Sequence, residues 1–176
     1  MKQIYILFAV LFLLSSTLAF AAPPPWAGTP GGPGDGDGGD EPPPENPIII
    51  IDPGHGGADS GSTECAGYPE KNADLDIARM LKTILIDAEY VVHLTRDDDE
   101  TKSNNDRYTF ANNIGGNALV SIHLNGSTDH AVNGTQGFGS PKWKKDEAFT
   151  NVVHQALANT LGLTIEEPIL SLPEFF

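Results

Sequence analysis

Three observations predict an α/β fold, a mostly parallel twisted sheet flanked by helices in a single domain. Ile48-Ile49-Ile50-Ile51 is an apolar run without polar alternation, the pattern of a strand covered on both faces. Two further β-rich runs, Tyr90–Thr95 and Ala118–Leu124, follow it. Between them lie segments whose apolar residues recur at helical spacing, so strand, helix and strand alternate as in βαβ units.

The first strand stops at Pro53-Gly54 and runs into His55-Gly56-Gly57, so it delivers an imidazole at its carboxyl end. In open α/β sheets ligands bind along that edge. Gly56 to Pro69 is a glycine-rich polar loop. Leu75, Ile77, Ala78, Met80, Leu81, Ile84, Leu85 and Ala88 then form a helical stripe. Asp74, Asp76, Arg79, Lys82 and Asp87 oppose it, predicting a helix from about Asn72 to Ala88 with Met80 in the core. The second strand, Tyr90–Thr95, contains His93 among apolar neighbours and ends at Arg96. The acidic run Asp97–Glu100 reads as a solvated loop in which Asp97 or Asp98 pairs with Arg96. Asn105 or Asp106 is expected to cap a short helix closed by Gly115-Gly116. The third strand ends on His123, so two parallel strands bring histidines to one edge.

Gly126–Trp143 is turn-rich, with His130 exposed. From Asp146 an amphipathic helix carries Phe149, Val152, Val153, Ala156, Leu157 and Leu161, with His154 on its polar side and Gly162 as its cap. Ile169-Leu170 can begin a further strand.

The chain of 176 residues does not spread its apolar content evenly. Residues 1–21 have the basic start, short apolar run and Ala19-Phe20-Ala21 ending of a signal peptide, and no membrane span is expected after cleavage. Residues 22–47 are expected to form a flexible acidic linker, because Pro23–Pro47 holds nine prolines, seven glycines and five acidic residues. Residues 48–176 form the domain. A net charge of −14 excludes the basic face that nucleic acid requires. The single Cys65 precludes an internal disulfide and has no thiol-enzyme signature around it.

A catalytic zinc takes three ligands from His, Asp or Glu and leaves one position open. His55 and His123 supply two. Any carboxylate can be the third, and Glu70 stands out because it opens the first helix just after the loop leaving His55. A glutamate there is also what the helix dipole favours.

Taken together, these stretches resemble the zinc-dependent N-acetylmuramoyl-L-alanine amidases, the family of bacterial cell-separation and sporulation amidases. The resemblance lies in Ile49–Gly57, in Glu70-Lys71-Asn72 before an apolar helix, in Val92–Arg96, in Arg107 with Ala111-Asn112, and in Ser121–Asn125. It implies that His55, Glu70 and His123 bind Zn²⁺. It further implies that the substrate is peptidoglycan, cleaved between the lactyl group of N-acetylmuramic acid and L-alanine by a monomer that is secreted or periplasmic and cell-wall associated. In the family the general base is a glutamate in a later Glu-x-Gly-Phe stretch. No such stretch follows here, so the domain is expected to lack its C-terminal part. Glu174 is the nearest catalytic candidate, but it lies closer to His123 than the family pattern places it and no glycine follows at the family's spacing. The alternative is a non-catalytic or weakly active peptidoglycan-binding protein that keeps the metal site without the base.

Overall fold

The computed structural model describes residues 46–63, 67–124, 134–139 and 144–163. The expected signal peptide, most of the expected linker, Cys65, His130, the expected strand at Ile169-Leu170 and Glu174 lie outside them. The described residues fall into two compact units, one reaching His123 and one starting at Leu124.

In the first unit the order is β1 (Ile48–Pro53), α1 (Glu70–Asp87), β2 (Val91–Leu94), α2 (Asn104–Ile114) and β3 (Ala118–Ile122). The sheet order is β2-β1-β3, and both pairings are parallel. The isoleucine run is thus the central strand, with Ile50 and Ile51 wholly buried. Ile50 pairs with His93 on one side and Leu119 on the other. The α/β class is confirmed: β1–α1–β2 joins parallel neighbours, and β2–α2–β3 crosses over the central strand to its other side.

Helix α1 begins at Glu70, two residues earlier than the periodicity predicts, because Pro69 already supplies the extended residue before the first turn. Its buried residues, Glu70, Ala73, Asp74, Leu75, Ile77 and Ala78, concentrate in the first half. Two expectations fail there. Met80 is 45% exposed, whereas Asp74 is fully buried. The inward face follows the row Glu70, Asp74, Ala78 set by spacing of four residues, and Met80 lies to one side of it.

Ser103, rather than Asn105 or Asp106, caps α2. Its hydroxyl accepts from the Asp106 N–H and the Asp106 carboxylate accepts in return from the Ser103 N–H, a reciprocal capping box. At the other end Gly115 adopts the left-handed conformation, φ 74°, as the Gly-Gly signal predicts. Strand β3 ends at Ile122, which places His123 directly beyond the sheet.

The second unit contains α3 (Lys144–Leu161), ended by Gly162 at φ 64° with the Leu163 N–H donating to the Ala158 carbonyl. His154 is buried rather than solvated, because its Nε2 lies 2.7 Å from the Thr135 carbonyl and 2.8 Å from the Thr135 hydroxyl. Val152 and Val153, read as part of the apolar stripe, are exposed. No helix among the described residues is long and apolar enough to cross a membrane.

Candidate metal centre

The site begins with the turn that β1 enters. His55 has φ 57° and Gly56 φ 125°, and a non-glycine residue keeps a left-handed conformation only when its surroundings impose it. Here two buried arginines impose it. Arg107 donates to the Pro53 carbonyl at 2.7 Å and the His55 carbonyl at 2.6 Å. Arg96 donates to Pro53 at 3.0 Å, Gly54 at 2.6 Å, Lys71 at 2.8 Å and Asp98 at 3.1 Å, all through carbonyl oxygens. Three consecutive carbonyls of the histidine turn are therefore clamped, and one donor reaches the first turn of α1 as well.

Asp52 anchors the clamp. Its Oδ1 accepts from Arg107 Nη1 at 2.7 Å and from the Thr95 hydroxyl, and its Oδ2 accepts from the Ser121 hydroxyl at 2.7 Å. One carboxylate on β1 thus ties β3, α2 and the end of β2 together. Burial and the neighbouring Arg107 hold the Arg96 guanidinium below its usual pKa. The expected Arg96 pairing with Asp97 or Asp98 is not formed through a side chain. The Asp97 carboxylate meets Arg79 and Lys82 instead, while Arg96 uses only the Asp98 backbone.

Beyond the clamp the three predicted side chains meet. His55 Nε2 lies 3.2 Å from Glu70 Oε1, His123 Nδ1 lies 3.5 Å from the same oxygen, and the two ring nitrogens are 3.1 Å apart. The rings are set edge-on at 84°. His55 and Glu70 are also held from behind. His55 Nδ1 donates to Asp59 Oδ2 at 2.9 Å, which leaves the Nε2 lone pair facing the cluster. That bond, with one from the Gly61 N–H, holds the Asp59 carboxyl below the usual carboxylate range. Glu70 Oε2 accepts from the Ser62 N–H at 2.8 Å, so Oε1 is the oxygen turned inward.

Glycines make the room. A Cβ on Gly54 would overlap the His123 imidazole, and one on Gly61 would lie 2.6 Å from His55 Cδ2 and 2.8 Å from Glu70 Oε2. The loop is tied down by Asp99, whose carboxylate accepts from the Gly57 N–H and from Lys71 Nζ, both at 2.7 Å.

These donors fit a divalent metal. Bonds of about 2.0–2.1 Å to an ion place tetrahedral donors roughly 3.3 Å apart, and the three separations here are 3.1, 3.2 and 3.5 Å. Asp74, fully buried, also reaches within 4.8 Å of the other three donors. Neither of its carboxylate oxygens has a hydrogen-bond partner among the described residues. Its pKa is pushed up to about 8, first by burial and then by the charge of Glu70.

The structure brings together His55, Glu70 and His123, the three residues singled out in the sequence, and adds Asp59, Asp74 and the role of both arginines, which sequence reasoning missed. The signal for Asp59 and Asp74 was spacing, since each follows a metal-type residue by four positions.

Comparison with known proteins agrees with this architecture. The family model described as N-acetylmuramoyl-L-alanine amidase matches residues 49–169. A sporulation-specific N-acetylmuramoyl-L-alanine amidase of Bacillus subtilis is 47% identical over 79 residues, covering 44% of this chain and 31% of that protein. A probable cell wall amidase, LytH, of Staphylococcus epidermidis is 34% identical over 124 residues, 69% of this chain and 38% of that one. The chain thus spans about a third of the length of these curated relatives. Among solved structures, the catalytic domain of CwlV, an N-acetylmuramoyl-L-alanine amidase from Bacillus (Paenibacillus) polymyxa var. colistinus, superposes with a TM-score of 0.62 at 33% identity. The match covers 70% of this chain and 72% of that one. With its parallel sheet, its histidine-bearing strand ends and a family match over most of its length, the chain belongs to the N-acetylmuramoyl-L-alanine amidase family.

Proposed function

We propose that this chain is a zinc-dependent amidase that hydrolyses the bond between N-acetylmuramic acid and L-alanine in peptidoglycan, acting outside the cytoplasm at the cell wall. The observation that carries the reading is the convergence of His55, Glu70 and His123 from the ends of β1 and β3 and the start of α1. Family membership supports the substrate.

In this reading His55 Nε2, His123 Nδ1 and Glu70 Oε1 hold the ion. When bound, zinc supplies the Lewis acidity that polarises an amide carbonyl and lowers the pKa of water toward neutrality. Asp59 keeps His55 in the tautomer that offers Nε2, and the Ser62 N–H keeps Glu70 from rotating away. His123 is the exposed member, its side chain 48% accessible against 6% for Glu70, so substrate approaches from the His123 side. Glu174 remains the candidate for accepting the proton, as a carboxylate downstream of β3 in the chain.

The test is digestion of purified peptidoglycan by the full chain supplied with zinc. The expected result is stem peptides carrying new L-alanine amino termini, abolished by a chelator. Sacculi that bind the protein but stay intact would replace the enzyme by a binding protein.

A further inference from the structure

The arrangement of three donors leaves Asp74 unexplained. It sits one helical turn after Glu70 on the inward row of α1 and is wholly buried, and both of its carboxylate oxygens lack a hydrogen-bond partner among the described residues. A buried ionised carboxylate is costly unless a cation or donor meets it. The buried guanidinium groups attract it electrostatically but donate no hydrogen bond to it. The hydrogen bonds of Arg96 go to the carbonyls of Pro53, Gly54, Lys71 and Asp98, and those of Arg107 go to Asp52 and to the carbonyls of Pro53, His55 and Lys102. What does lie beside Asp74 is the donor cluster, with one ligand atom from each of His55, Glu70, Asp74 and His123 inside a mutual distance of 4.8 Å.

We propose that Asp74 is a fourth protein donor to the same ion, making the centre two imidazoles and two carboxylates, with the metal as the missing partner of the buried carboxyl group. The inference rests on the reading of the site as a metal centre. Two carboxylates neutralise a dication completely. They also harden the donor set, so Mn²⁺ and Co²⁺ become acceptable alongside Zn²⁺. Four protein donors would leave a five-coordinate ion one open position.

The experiment measures Zn²⁺ affinity of the full chain by competition with a chromophoric chelator, and melting temperature with and without zinc. Loss of an outer-shell partner typically weakens metal binding about 10–100-fold. Asp74→Asn is therefore expected to weaken zinc binding by more than ~100-fold. It should also shrink the rise in melting temperature that zinc gives the parent, while leaving the metal-free protein melting close to the parent. Asp74→Ser, smaller and neutral, should show the same loss of zinc. Asp76→Asn, on the exposed side of α1, should change neither quantity. Asp74→Asn binding zinc within ~100-fold of the wild type, or lowering both melting temperatures alike, would overturn the assignment and leave Asp74 a packing residue. If the wild-type chain itself took up no zinc, the metal centre and this inference would fall together; wild-type binding with an unaffected Asp74→Asn removes Asp74 alone.

Discussion

Arg107 and Arg79 carry the same charge and both meet an aspartate, yet they do different work. Arg107 faces Asp52 at 2.7 Å with both side chains at most 10% accessible, whereas Arg79 faces Asp97 at 2.9 Å with both about half exposed. The buried guanidinium also satisfies carbonyls of the histidine turn, and the exposed one ties a helix surface to a loop. Charge pairing alone therefore does not mark the residues that build the site. Burial and the backbone groups at the far end of the side chain do, because an uncompensated charge or carbonyl in the interior has no water to turn to.

Breaking the buried side of the comparison gives the largest expected effect. Arg107→Ala leaves the buried Asp52 without its counter-charge, frees the His55 carbonyl and leaves the Pro53 carbonyl to Arg96 alone, so it should cost about 3–5 kcal/mol in denaturant unfolding. It should also release the left-handed turn at His55 and abolish retention of zinc. Lysine at position 107 should not rescue it, because an ammonium cannot reproduce the planar fork that reaches Asp52 and two carbonyls together.

Gly54→Ala separates site geometry from global stability. The added methyl group would collide with the His123 ring, which is half exposed and free to swing out. Zinc affinity should fall about 10–100-fold, the range seen when a ligand's orientation is disturbed, while circular dichroism stays that of the parent.

Ser103→Ala removes the capping box of α2, where the hydroxyl bonds only to Asp106 among the described residues. It is expected to cost ~1 kcal/mol without altering zinc affinity. Arg79→Ala marks the low end of the scale. An exposed pair contributes about 0–1 kcal/mol, and the loss should shrink further as salt is raised.

Much of this architecture is legible in the sequence. A run of four isoleucines can only be buried, and Pro53-Gly54 ends it where His55 must emerge. The same logic places His123 beyond β3, and Gly115 announces its own left-handed cap. Other parts are hidden for physical reasons. Arg96 and Arg107 bind backbone carbonyls, which have no residue identity for a pattern to detect. Asp74 and His154 read as outward-facing because helical periodicity is read from hydrophobicity, and a polar group with an interior partner or role defeats that rule. Met80 errs the other way, an apolar residue beside the buried row rather than in it. Glu70 is intermediate. Its place at a helix start is explained equally by the dipole, and only the fold shows its Oε1 facing two imidazoles.

The most direct test of the centre is zinc K-edge X-ray absorption on the full chain loaded with one equivalent of zinc. The account predicts two imidazole nitrogens with oxygen donors at about 2.0–2.1 Å and no sulfur. A sulfur shell at about 2.3 Å, or fewer than two imidazoles, would place the ion elsewhere and contradict the site built by His55, Glu70 and His123.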